Sequence, residues 1–144
     1  VLVVLGAEAD LARSLLGDLD GVRTVIAHGW ADGLSASLRA GLIHLEDDLD
    51  TDRAVITLVD LPDVGSAVVE RVLAAATDEH ALVRATYGGV PGHPVVLGRR
   101  HWRAVSDSLS GDRGAGRYLD LHDCVGVECS DLATGRDVDE PRQT

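Results

Sequence analysis

The sequence predicts an α/β layered domain built on a mostly parallel sheet. Short runs rich in β-branched residues, such as "VLVVLG", "VRTVIAH" and "AVITLV", alternate with longer stretches whose apolar residues recur at helical spacing. Strands separated by helices of this length pack as a layered, largely parallel sheet. The length of 144 residues, 45% of them hydrophobic and 26% charged, supports one domain with a real core. The expected organisation is therefore a single domain over 1–144, with a polar tail from 130 onward.

The elements follow in order. Strands are expected over 1–6 and 22–28, joined by an amphipathic segment from Glu8 to Leu16 and the turn "GDLDG". From Leu34, the residues Leu38, Leu42, Leu45 and Leu49 mark a helix that Asp32 or Ser35 is suited to cap. A strand over 54–59 leads to Asp60. The next helix gathers Val68, Val69, Val72, Leu73 and Ala76 on one face, with Glu70, Arg71 and Thr77 opposite. Strands over 81–87 and 94–98 flank "GGVPGHP", read as a rigid loop. "RRHWRAVSDSL" is a helix, "GDRGAGRYLDL" a loop entering a short helix, and "DCVGVEC" the last strand.

Several classes are disfavoured. A net charge of −11 argues against a nucleic-acid partner, because affinity for a phosphate backbone comes from cationic surface. No apolar run approaches the ~20 residues of a membrane helix, and no signal-peptide pattern opens the chain, so a cytoplasmic protein is expected. On one strand, Cys124 and Cys129 would lie roughly 16 Å apart, beyond disulfide reach, and are expected to be buried free thiols. The sequence has no Met and begins inside a strand-like run, which reads as a chain whose beginning has been lost.

Ligands of parallel sheets gather at the carboxyl ends of strands. Asp60 stands at such an end, where it could serve a ligand or cap the following helix; Asp63 is better spaced for capping. Gly33, Ser35 and Ser37 surround a second strand-to-helix junction, whose free N–H groups suit an anion or polar ligand. His93 lies between Gly92 and Pro94, and Asp112, Arg113 and Gly114 belong to another glycine-rich turn. Asp137 and Asp139, two apart, would face one side of an extended segment, which suits Mg²⁺ held by carboxylates and substrate phosphates. There is no P-loop, G-x-G-x-x-G or G-x-S-x-G pattern, no zinc-like Cys/His spacing and no evident Ser-His-Asp set.

The ordered series "VVLGAEAD … GWADGLSASLRAGL … LVDLPDV … YGGVPGHPVVL … LSGDRGAG … GRDVDEP" resembles the molybdenum cofactor cytidylyltransferase (MocA-like) group of the MobA-like NTP transferase family, from residue 1 to about residue 140. The resemblance implies a Rossmann-like three-layer α/β/α nucleotidyltransferase fold. It implies too that the family's first strand, its helix and the glycine-rich triphosphate loop with its Lys are missing here; this sequence has no Lys. It further implies transfer of CMP from CTP, or GMP from GTP, to a molybdopterin-type acceptor, with Mg²⁺ and release of pyrophosphate. Carried over, Asp60 is the catalytic acid that binds the metal, completed by Asp137 and Asp139. Gly33, Ser35 and Ser37 would face the base and ribose, while His93, Asp112, Arg113 and Gly114 would face the pterin. The alternatives are a non-catalytic binding or assembly module that has lost the triphosphate loop, and an oxidoreductase-named relative on the same scaffold. A sheet lacking its first strand would offer an open edge, so a homodimer is a further expectation.

Overall fold

Strands β1 (Leu2–Leu5) and β2 (Arg23–Ile26) pair in parallel, with Leu5 beside Ile26. Parallel neighbours need a crossover, and helix α1 (Ala9–Leu16) supplies it. A 3₁₀ turn over Trp30–Asp32 then leads into α2 (Leu34–Glu46). The structure, a computed structural model, describes residues 1–138. After α2 come β3 (Arg53–Ile56), α3 (Ser66–Ala75), β4 (Leu82–Tyr87), β5 (Val90–Gly98), α4 (Arg99–Ser108), α5 (Gly116–Leu121) and β6 (Val125–Glu128).

The chain forms two compact units. One is Val1–Thr51 with Trp102–Asp120; the other is Asp52–His101 with the segment from Leu121 on. In the first unit, Gly41 lets α2 lie close to β1: a Cβ there would sit 3.1 Å from Val4 Cγ2. Arg39 of α2 donates to the carbonyls of Ser106 and Leu109, satisfying acceptors that the end of α4 leaves open. The leucine repeat predicted a helix reaching Leu49. Instead α2 ends at Glu46, and Asp48 takes the Thr51 hydroxyl and the Asp50 N–H, leaving Leu49 exposed. That local side-chain bonding competes with the helix.

The second unit holds a four-stranded sheet in the order β3-β5-β4-β6. β5 is antiparallel to both neighbours and β4 is parallel to β6, so β3, β4 and β6 all run one way. The architecture is mixed α/β with parallel-dominated strands, as the sequence predicts. Its core joins Val68, Val72 and Ala76 of α3 and its end to Val83, Ala85, Val96 and Cys129. The four-residue spacing sets one stripe of α3 against the sheet. Each fully buried valine is worth about 1.5–3 kcal/mol relative to exposure. Neither cysteine forms a disulfide, but only Cys129 is buried; Cys124 is half-buried.

Three local expectations are corrected. "GGVPGHP" is not a loop: Gly88 and Gly89, both at positive φ, make a tight hairpin turn, and Val90–Gly98 is one strand. Pro91 and Pro94 fit because β3 pairs only Val95–Gly98, and the register with β4 shifts between Arg84 and Thr86. For the same reason β3 stops at Ile56 rather than at residue 59: beyond Val95 its partner is Pro94, which has no N–H to give. Finally, neither Asp32 nor Ser35 caps α2, and Asp63 does not cap α3; Gly33 and Gly65 hold those positions without side-chain bonds.

The hairpin tip is tied to β6 by Glu128. Its carboxylate accepts the Gly88 and Gly89 N–H groups at 2.8 and 3.0 Å, the Thr86 hydroxyl at 3.0 Å, and the hydroxyl and N–H of Ser130. The Ser130 hydroxyl and the two glycine amides hold its pKa down to about 2. A depressed carboxylate binds fewer protons folded than unfolded, so its stabilisation is present above the unfolded value and fades as pH falls toward 2. Amide exchange at Gly88 and Gly89 is expected to accelerate as pH drops from about 4.5 toward 2, beyond the intrinsic trend. Glu128→Gln should flatten that response.

Candidate active site

Asp60 lies four residues past the carboxyl end of β3, in the turn that precedes α3. Its residue is only half-buried, yet its Oδ1 is buried and has no hydrogen-bond partner among the described residues. Buried polar atoms are nearly always satisfied, so this oxygen is available to something the described residues do not provide. Its backbone is engaged: the Asp60 carbonyl accepts the Val138 N–H at 2.9 Å.

That bond is the last of three that lay the 134–138 segment beside the Asp60–Asp63 turn. Asp63 accepts both the N–H and the hydroxyl of Thr134 at 2.6 Å, which draws its carboxyl below the usual range. Gly135, at φ 66°, lies so close to the Tyr87 ring that any side chain there would strike it. Val138 then closes on Asp60. The acids of "GRDVDEP" are thereby divided: Asp137 is exposed and directly precedes the residue bonded to Asp60, while Asp139 lies outside the described residues. Thr134 and Tyr87 were missed by the sequence reading. Their only signals were one of two threonines in the polar tail and one of the chain's two tyrosines.

His93 belongs to β5, not to a loop, and is half-buried. Its carbonyl accepts the Tyr87 hydroxyl at 2.7 Å. Burial lowers the imidazole pKa, and the charge of Asp60 opposes that fall. The Coulombic link brings His93 into the same neighbourhood as Asp60. Neutralising Asp60 as Asp60→Asn should therefore move the His93 midpoint further down, measured by NMR titration of the ring protons. An unmoved midpoint would count against the coupling.

Among the described residues, no group of three or more His, Cys, Asp or Glu side chains is arranged to hold a metal by itself. Asp60 nevertheless fits one: its free, buried oxygen is a hard donor suited to Mg²⁺, which commonly takes one or two carboxylates and completes its shell with water and phosphates.

The other predicted residues lie in the first unit and converge on the start of α2. Gly33 has φ 108° and ψ −177°, and a Cβ there would meet Asp112 Oδ1 and come within 2.6 Å of the Gly111 carbonyl. That carbonyl accepts the Ser35 N–H at 3.1 Å, and Ser35 is buried. A Cβ on Gly114 would touch Leu34, and Arg113 closes the turn through its N–H to Ser110. Gly33, Ser35 and the 112–114 turn thus form one assembly. The Ser35 amide expected to face an anion is taken by Gly111, which narrows the anion cradle. Ser37 sits one turn on, half-buried. A separate cleft of about 460 Å³, lined by His80, His101, His122, Asp78 and Asp123, opens at the amino ends of β4 and β6. It is at the opposite end of the sheet from Asp60.

Among the described residues no helix is long and apolar enough to cross a membrane. Among known proteins, the chain is 31% identical to the nicotine blue oxidoreductase of Paenarthrobacter nicotinovorans, over 99% of this chain and 72% of that protein. Its fold matches the crystal structure of the Rv0371c homologue from Mycobacterium sp. strain JC1, with a TM-score of 0.75 at 25% identity over 96% of this chain and 68% of that one. Mycobacterium tuberculosis Rv0371c solved in complex with manganese gives a TM-score of 0.68 at 24% identity, over 89% and 67%. These neighbours are consistent with the Rossmann-like nucleotidyltransferase fold. Residues 1–125 match the MobA-like NTP transferase domain, and the chain belongs to that family.

Proposed function

We propose that the protein is a cytoplasmic enzyme that moves CMP, or GMP, from a nucleoside triphosphate to the terminal phosphate of a molybdopterin-type acceptor. An acceptor phosphate oxygen attacks the α-phosphorus; the new P–O bond forms as the α–β bridging bond breaks, and the electron pair leaves with pyrophosphate. Such a reaction asks the protein for positioning and charge stabilisation rather than a covalent nucleophile. The observation that carries this reading is Asp60, whose buried carboxylate oxygen lacks a partner among the described residues, just past a strand end of a chain of the NTP transferase family. Asp60 and Asp137, with Asp139 beyond the described residues, would hold a divalent ion. When bound, Mg²⁺ offsets charge on the α-phosphate; the manganese complex of a structural neighbour supports a divalent ion in this fold.

Under this reading Gly33, Ser35 and Ser37 take the base and ribose, while His93, Asp112, Arg113 and Gly114 address the acceptor. Burial disfavours the charged form of His93, and a neutral imidazole can donate or accept a hydrogen bond. The test is calorimetry with Mg²⁺-CTP and Mg²⁺-GTP, followed by an assay for pyrophosphate release with a phosphorylated pterin. Heat with one nucleotide and acceptor-dependent pyrophosphate are expected. Indifference to both nucleotides sinks the proposal. The redox reading is favoured by one observation, the 31% identity with a nicotine blue oxidoreductase. Turnover of nicotine blue without nucleotidyl transfer would select it.

A further inference from the structure

The chain has four aromatic residues, Trp30, Tyr87, Trp102 and Tyr118. Trp102 and Tyr118 are 1% and 9% exposed, and the Tyr87 ring is covered by Gly135. Trp30 is the exception, 47% exposed. Indole is the largest apolar surface a side chain can bury, so leaving half of it in water forgoes stabilisation that the other aromatics secure.

Its place in the fold is specific. The Trp30 N–H bonds to the Ala27 carbonyl directly after β2, and its carbonyl accepts the Gly33 N–H at 3.1 Å. Its Cβ rests on Gly6, directly after β1; a Cβ on Gly6 would come within 3.0 Å of Trp30 Cβ and 3.4 Å of Cγ. Trp30 therefore stands over the carboxyl ends of two parallel strands, where ligands collect. It also adjoins the Gly33–Ser35 junction that packs against the Gly111–Asp112 turn. Leu34, four residues on, is likewise exposed, at 45%.

We propose that Trp30 is a stacking platform for a planar heteroaromatic ring of the substrates, with Gly6 as the residue that positions it. This rests on the nucleotidyl-transfer reading for the identity of the ring, which is either the nucleobase or the ring of the acceptor. A single indole braced from beneath by backbone suits one flat ring better than a protein surface, and stacking tolerates different bases because every base presents a π-face.

The chain's two tryptophans make the test direct, since buried Trp102 serves as the internal reference. Mg²⁺-CTP, Mg²⁺-GTP, free pterin and inorganic triphosphate are titrated while emission is recorded, with calorimetry in parallel. The ring compounds are expected to quench the exposed tryptophan and the triphosphate is not. Quenching by nucleotide alone assigns the base, and quenching by pterin alone assigns the acceptor. Trp30→Ala should weaken binding of the quenching ligand about 5- to 100-fold, Trp30→Phe should keep most of it, and Gly6→Val should reproduce part of the loss with Trp30 intact. Undiminished CTP binding by Trp30→Ala, with no pterin effect, overturns the platform and leaves nucleotidyl transfer standing. A wild-type chain that ignores both nucleotides but is quenched by pterin through Trp30 keeps the platform and overturns the transferase reading. A wild-type chain that binds no ring compound overturns the platform.

Discussion

Asp60→Ala is expected to reduce metal-dependent nucleotidyl transfer by at least about 10²-fold while leaving the melting temperature unchanged or slightly raised. The two halves of that result have different causes. Oδ1 is buried without a partner, and an unsatisfied buried polar atom costs about 1–3 kcal/mol. Removing it relieves that penalty and forfeits only the contacts of a short side chain. The tail is not released, because Val138 bonds to the backbone carbonyl of residue 60, which alanine retains. What the variant loses is the hard oxygen donor that Mg²⁺ favours. A binding readout separates this from turnover: Mn²⁺ should broaden the NMR signals of His93 and Val138 in the wild-type chain and not in Asp60→Ala. Asp63→Ala is the control, since its carboxylate holds Thr134; it should loosen the 134–138 segment while Mn²⁺ still broadens His93. If Asp60→Ala melted well below wild type and kept its broadening, Asp60 would be a structural acid.

The parts of this picture that were legible in the sequence are those set by local periodicity. Val68, Val72 and Ala76 announce α3 and its buried face because four-residue spacing maps directly onto one side of a helix. The convergence of Gly33 with Asp112 could not be derived that way; ordered motifs suggested both residues, but only tertiary structure shows that one leaves room for the other. Asp60 and Asp63 illustrate the limit. Each is an acid before a helix, and capping rules favoured Asp63 for α3. The rules could not anticipate Thr134, 71 residues away, which competes for the same carboxylate. The hairpin failed for a related reason. Pro91 and Pro94 argue against a central strand, and sequence alone does not reveal that β3 stops alongside Val95 and leaves that stretch with one neighbour. Trp30 passed unremarked because nothing in its local pattern distinguishes an exposed indole from a buried one.

Gly33→Ala should be the most damaging small substitution in the first unit, costing on the order of 3–5 kcal/mol. The backbone at φ 108°, ψ −177° lies in a region that is essentially confined to glycine, so alanine is strained there by about 1–3 kcal/mol before any contact is counted. The new methyl group then meets the Gly111–Asp112 turn. The Asp112 carboxylate can swing aside, but the Gly111 carbonyl at 2.6 Å is backbone and can yield only by moving the turn. Moving it stretches the bond that Gly111 accepts from the Ser35 N–H, worth about 1 kcal/mol, and carries Asp112–Gly114 away from the start of α2. The melting temperature should fall by roughly 10 °C, and the Ser35 amide should exchange faster than its neighbours. Gly21→Ala separates strain from collision. Gly21 has φ 73°, but a Cβ there meets nothing within 4 Å, so it should cost about 1–2 kcal/mol. If Gly33→Ala proved no worse than Gly21→Ala, the 110–114 turn would not be braced by residue 33, and the assembly at the start of α2 would lose the contact that defines it.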